Sequence, residues 1–273
     1  MEIFRKMFAE KILKFHEGTN KAIKLMMKMP VIGAHITDDI FSVRKSGFRT
    51  FLGIVAQIVV LVYEFLLKLI YFAAFIYVPY LYISSKCPLV ALHKEQAIIY
   101  LFVILSTICG SIVNNTAFSM AQRDYLMIKV MQISPYMNYL GRLIYKMAED
   151  FVFFTIILRI FDVSVVNAIM LSVVTVSARP IGEMLAIIGY EHMSVIYSNR
   201  NAFNGVLMAA GVIIAYGFPL LTRRIAGFWM LFVNPVFMIF MIAVGALSML
   251  YIWKYKHYRE LMRTSLHRQR NEG

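Results

Sequence analysis

The sequence predicts an all-α, polytopic membrane protein, and three observations carry that expectation. The chain has 273 residues, of which 60% are hydrophobic, and its mean hydropathy is +0.68. Soluble domains are about 45–50% apolar, so this excess needs a second apolar phase, and lipid is the simplest one. The apolar residues fall into runs of about 20, the length a helix needs to cross hydrocarbon with its backbone groups paired internally. Charged residues make up only 16% of the chain, yet the net charge is +13. Few charges, mostly basic, suit loops that lie against an anionic cytoplasmic leaflet. A nucleic-acid binder is also basic but not this apolar, so nucleic acid is not an expected partner.

Six spans are expected, at about 65–83, 97–120, 144–161, 163–188, 202–221 and 228–253. The first is the least clean. Apolar sequence runs from Phe48 to Ile83, interrupted by Glu64 and Lys68. A straight helix of that length is about 50 Å long, against a hydrocarbon core of about 30 Å. One reading splits it into an interfacial helix at 49–63 and a span at 65–83. The other is one long tilted helix. Glu64 and Lys68 stand at i and i+4, a spacing that lets them pair on one helix face.

Orientation follows from the loops. With the N-terminus inside, the inner segments hold 21 Lys and Arg and the outer loops five. Both termini are then cytoplasmic, the even number of spans agrees, and Tyr77, Tyr80 and Tyr82 close the first span at an interface. Residues 1–48 form a cytoplasmic segment. Ile3, Phe4, Met7, Phe8, Ile12, Leu13 and Phe15 alternate in helical period with basic residues, a pattern suited to the membrane surface and hence to membrane lipids as partners. No short apolar leader with a small-residue cleavage site precedes the first apolar run. Residues 254–273 form a basic cytoplasmic tail.

No phosphate-binding loop, zinc-protease motif, nucleophile elbow or paired metal-binding aspartate cluster occurs. The six histidines lack ligand spacing. Cys87 and Cys109 are expected as free thiols. Neither catalysis nor a bound cofactor or metal is therefore expected. Ionisable residues within spans mark function in membrane proteins. Here they are Glu64, Lys68, Glu149, Asp150, Arg179 and Glu183. Arg179 and Glu183 stand at i and i+4, separated by Pro180 and Gly182. They are either an ion pair facing the bundle interior at a weakened hinge or two residues at the inner headgroup level. Gly110, Ser111, Gly205, Ala209, Ala210, Gly211 and Gly245 are candidate positions of close helix contact.

Between the second and third spans lies a cytoplasmic stretch, 122–146, that a Ser134–Pro135 break divides into two short helices. Its run Arg123, Asp124, Tyr125, Leu126, Met127, Ile128, Lys129, Val130, Met131, Gln132, Ile133, Ser134, Pro135, followed by Tyr139 and Leu143–Lys146, resembles the cytoplasmic loop of permease subunits in bacterial ABC exporters. Met29–Ile36 resembles a pre-membrane segment of the same family. The Gram-positive drug and peptide exporters are the nearest group. The resemblance implies a type-2-exporter-like permease in the bacterial cytoplasmic membrane, without ATPase activity of its own. A short coupling helix would dock on a separate ATPase subunit that binds the ATP. Carried over by position, Arg123, Asp124, Tyr125, Met127, Ile128, Lys129, Met131, Ser134 and Pro135 would form that coupling surface. The pathway would be dimeric, built with a second copy or a second permease half. The family's longer outer segment before the last span is reduced here to Thr222–Gly227. A secondary transporter or channel, and a membrane enzyme or assembly factor, are the alternative readings.

Overall fold

The computed structural model describes residues 15–20, 47–114, 134–192 and 200–255. All regular structure among them is helical. Helix α1 starts at Gly47, runs to Phe72, passes through a π-helical stretch at Ala73–Tyr77 and continues through Val78–Lys86. A short α2, Pro88–Leu92, turns the chain into α3, which comprises Lys94–Phe102, a π-helical stretch Val103–Cys109 and Gly110–Val113. Helices α4, Pro135–Ile160, and α5, Val165–His192, form a hairpin. Helix α6 spans Arg200–Val212, a π-helical Ile213–Gly217 and Phe218–Thr222. A single turn, α7, Trp229–Phe232, precedes α8, Pro235–Lys254.

Among the described residues, five stretches are long and apolar enough to cross a membrane: Thr50–Lys86, Lys94–Val113, Val165–Gly189, Ala202–Thr222 and Pro235–Lys254. They lie in α1, α3, α5, α6 and α8. Helix α4 is 26 residues long, but Arg142, Lys146, Glu149, Asp150 and Arg159 interrupt its apolar sequence. The six expected spans thus stand at five by length and apolarity.

Three further expectations change. The stretches 49–63 and 65–83 are one continuous helix, because no glycine or proline stands between Gly53 and Pro79. The short helix expected after the Ser134–Pro135 break is instead the first part of the 26-residue α4: the Ser134 side chain accepts a hydrogen bond from the Met137 N–H at 3.2 Å, and proline occupies the first turn, where its missing N–H costs nothing. Asn234–Pro235 starts α8 in the same way, with the Asn234 side chain accepting from the Val236 N–H at 2.8 Å. The last span therefore begins at Pro235, and the loop before it is longer than Thr222–Gly227.

The helices are not equivalent. In α3, 67% of the most apolar window is buried, against 11% in α1 and 17% in both α6 and α8. Helix α3 is therefore central and the other three are peripheral. The inward face of α1 reads Phe65, Leu69, Phe72, Ile76, Tyr80 and Ile83, a 3.6-residue period. Its remaining faces expose Ile58, Val59, Val62 and Ile70. An exposed apolar surface of this extent is a liability in water and suits hydrocarbon.

Two of the π-helical stretches have an evident cause. Each ends two residues before a proline, Pro79 or Pro219. A proline inside a helix removes an N–H and crowds the carbonyl four residues earlier. For Pro79 that carbonyl belongs to Phe75, and the Tyr216 hydroxyl donates to it at 2.6 Å. On the other helix the Tyr100 hydroxyl donates to the Ile214 carbonyl at 2.9 Å. Local widening and a tyrosine from a neighbouring helix keep these carbonyls paired, as a dry environment demands.

Small residues bring the backbones together elsewhere. A Cβ on Gly182 would meet the carbonyl of Ser111 on α3, and one on Gly245 would come within 2.8 Å of the Ser177 carbonyl. Gly211 sits against the Cys109 sulfur, whereas Gly205 has open space around it. Gly182 is thus a contact glycine where α5 crosses α3, and not only a neighbour of Pro180. The helical residues 15–20 lie on the first turns of α1, with Phe15 and Thr19 over Gly53.

Candidate functional site

Glu149 and Asp150 leave α4 side by side, and each adjacent helix answers with a cation. From α1, Lys68 Nζ lies 2.5 Å from Glu149 Oε1 and 2.9 Å from Asp150 Oδ1. From α5, Arg179 Nη1 lies 2.8 Å from Asp150 Oδ2. Asp150 therefore bridges two helices. The four side chains are 10–23% exposed, so water screens them little. The contact to Arg179 is an ion pair without hydrogen-bond geometry, since Nη1 has no hydrogen-bond partner. Lys68 Nζ also lies 4.7 Å from the Phe153 ring centroid and 5.9 Å from that of Phe154. Aromatic faces add a favourable cation–π term there.

The turns between α1 and α3 and between α4 and α5 supply a ruler. Lys94 Nζ and Asp162 Oδ2 are 2.5 Å apart, and the Asp162 side chain is 75% exposed. The Lys94 hydrogen bond holds the Asp162 carboxyl below its ordinary value. So exposed a carboxylate belongs at a polar boundary. Tyr77 of α1 is level with it, against Phe161 and Lys94. Counting along α4 from Asp162 to Asp150, and along α1 from Tyr77 to Lys68, gives about 18 and 14 Å at 1.5 Å per residue. That is roughly half of a 30 Å hydrocarbon layer.

The partners differ from those expected from spacing. Lys68 pairs with α4 and not with Glu64. Arg179 pairs with Asp150 and not with Glu183. Glu183 is fully buried and accepts a hydrogen bond from the Tyr139 hydroxyl at 3.2 Å. Glu64 lies on the α1 face that carries Lys68 and Phe72, yet its buried Oε2 has no hydrogen-bond partner. The cluster thus unites Lys68, Glu149, Asp150 and Arg179, with Glu64 and Glu183 at its margins.

Other polar groups went unnoticed in the sequence. The Thr107 and Thr175 hydroxyls meet at 2.7 Å between α3 and α5. With the wholly buried Ser172, they extend a polar stripe along α5 at positions 172, 175, 179 and 183, the i, i+3, i+7, i+11 spacing of one helix face. That spacing was available to find it. The register that sets α4 against α5, which decides who pairs with Arg179, was not.

Of the segment resembling a coupling surface, Arg123, Asp124, Tyr125, Met127, Ile128, Lys129 and Met131 lie outside the described residues. Ser134 and Pro135 begin α4. Cys87 and Cys109 are free thiols. No group of three or more potential metal ligands occurs among the described residues. No protein-family model matches the chain, and no curated protein or solved structure matches it.

Proposed function

We propose that this chain is a membrane-spanning permease subunit that moves its solute with energy from a separate ATPase. The observation that supports the transport part of the reading is the ion-paired cluster shared by α1, α4 and α5, about half a hydrocarbon thickness from the polar turn at Asp162. Ionisable side chains at such depth are costly and mark pathways and moving parts in membrane proteins. Paired across helices, they also make α4 a credible sixth span. Its carboxylates are neutralised by Lys68 and Arg179, Lys146 lies towards its inner end, and Arg159 reaches back to the Val163 carbonyl at 2.8 Å. An even number of spans puts both termini in the cytoplasm, as the basic loops require. The stretch 115–133 then faces the cytoplasm, where a coupling helix has to be.

On this reading the chain resides in the bacterial cytoplasmic membrane and exports a peptide, drug or lipid-like substrate. It pairs with a second copy or a second permease half, and ATP is bound only by the partner subunit. The resemblance of Arg123–Pro135 to exporter coupling loops supports the ATPase; the cluster alone does not. The alternative, a secondary transporter, draws support from the same intramembrane charges, which suit ion coupling.

Affinity purification of the full chain from its native membrane separates the two. A P-loop ATPase that co-purifies, and is lost on substitution of Tyr125, Ile128 and Met131 by serine, is the expected result. A chain that purifies alone, with transport unaffected by those substitutions, sinks the ATPase reading.

A further inference from the structure

Lys68 has acids on two sides of its helix position, Glu149 and Asp150 on α4 and Glu64 on its own helix, and the structure uses only the α4 pair. Its ammonium sits on Glu149 and Asp150 of α4. One turn away on the same face of α1, Glu64 stands at i−4, the spacing at which a Glu–Lys pair forms within a helix. Glu64 Oε2 is buried and without a hydrogen-bond partner. Ordinarily a buried carboxylate oxygen is satisfied, and an exception asks for a reason.

We propose that Lys68 is the moving charge of a two-position latch between α1 and α4. In the position seen here it closes α1 onto α4 through Glu149 and Asp150. In the other it turns back to Glu64, and α1 is released from α4. No proton or ion need enter or leave. One ammonium exchanges one carboxylate for another, and Asp150 keeps its pair with Arg179, so α4 stays fastened to α5. The neighbouring groups fit an exchange over a short path. The Phe153 and Phe154 rings flank the ammonium in the closed position, and Phe65 packs edge-on against Phe153 with centroids 5.4 Å apart. That apolar contact is the α1–α4 seam that would part. A packed interface with two discrete arrangements is the element a conformational switch needs.

The latch supplies a moving part for the permease reading, but its test needs neither ATPase nor substrate, so either idea can fail without the other. Spin labels on lipid-facing positions of α1 and α4, at Leu66→Cys and Val152→Cys, report the helix separation in lipid nanodiscs by double electron–electron resonance. With native acids the short separation dominates. Glu149→Gln weakens the closed position, so a longer separation should rise several-fold. Adding Glu64→Gln removes the competing acid, Lys68 returns to Asp150, and the longer separation should disappear. Should Glu149→Gln fail to fold, Glu149→Asp keeps the charge, weakens the closed pair and carries the same expectation. No longer separation in the Glu149 variant, or one that persists after Glu64→Gln, overturns the proposal.

Discussion

The middle of the bundle and its outer end hold their helices together by different chemistry. At the outer end the contacts inside the bundle are neutral, and the one ion pair described there, Lys94–Asp162, lies exposed in the turns. Tyrosine hydroxyls cap carbonyls freed by Pro79 and widened at Ile213–Gly217, and aromatic rings stack, as in Phe72 on Phe161 with centroids 4.7 Å apart. In the middle, two cations from two helices converge on two adjacent carboxylates. Neutral bonds between membrane helices are weak, averaging about 0.6 kcal/mol, and depend on local shape. A buried charge is different. Its pairing adds modest net stability, but removing one partner strands the other at a cost of about 3–5 kcal/mol. The outer end is therefore tolerant, and the middle is sensitive and able to exchange partners.

The sharpest way to break this contrast is at Asp150. Asp150→Asn keeps the shape and strands Arg179, and should lower stability by about 3–5 kcal/mol in thermal or denaturant melting of the purified protein. Arg179→Gln in the same chain should restore most of the loss, because no charge is then left unpaired. Failure of that rescue would mean the pair is incidental. Gly182→Ala comes next. Its Cβ would press on the backbone of Ser111, and overpacking of this kind costs about 1–3 kcal/mol. Gly205→Ala, with open space around it, should cost nothing measurable.

Tyr216→Phe tests the outer end. The Phe75 carbonyl loses its donor, and the loss should be about 0.6–1.7 kcal/mol, well below the effect at Asp150. An equal or larger effect would erase the difference between the two regions. Asp162→Asn should have the smallest effect, and it should depend on pH. The Lys94 hydrogen bond lowers the folded carboxyl below its ordinary value of 3.8. A lowered folded value stabilises above the unfolded one, and the contribution is lost as pH falls through the folded value. Wild type and Asp162→Asn should therefore differ slightly in melting at neutral pH and converge as the pH falls below the ordinary carboxylate range and through the lowered folded value.

The sequence made the helical class and the positions of the apolar runs legible, because length and hydropathy are local properties. It also pointed to Lys68, Glu149, Asp150 and Arg179 of the cluster and to Glu64 and Glu183 at its margins, though not to Lys146, which lies near Arg179, Glu183 and Asp150. Their pairing was not legible. Spacing along one helix suggests Glu64–Lys68 and Arg179–Glu183, whereas the register between α1, α4 and α5 gives Lys68–Glu149, Lys68–Asp150 and Arg179–Asp150. Prolines were ambiguous for a similar reason. Ser134–Pro135 reads as a break within a loop until the 26 helical residues after it are seen. Asn234–Pro235 looks like span interior until the cap is seen. Pro79 and Pro219 sit in apolar runs, and only the tyrosines of neighbouring helices show how their carbonyls are paired.

The whole account rests on α4 crossing the membrane with its charges answered by α1 and α5. Single cysteines at Ser134 and Asp162, at the two ends of α4 and both exposed, test this directly in intact cells with a membrane-impermeant maleimide. The account predicts that Asp162→Cys is labelled from outside, and Ser134→Cys only after the cells are permeabilised. Labelling of both positions from the same side would place α4 outside the membrane and contradict it.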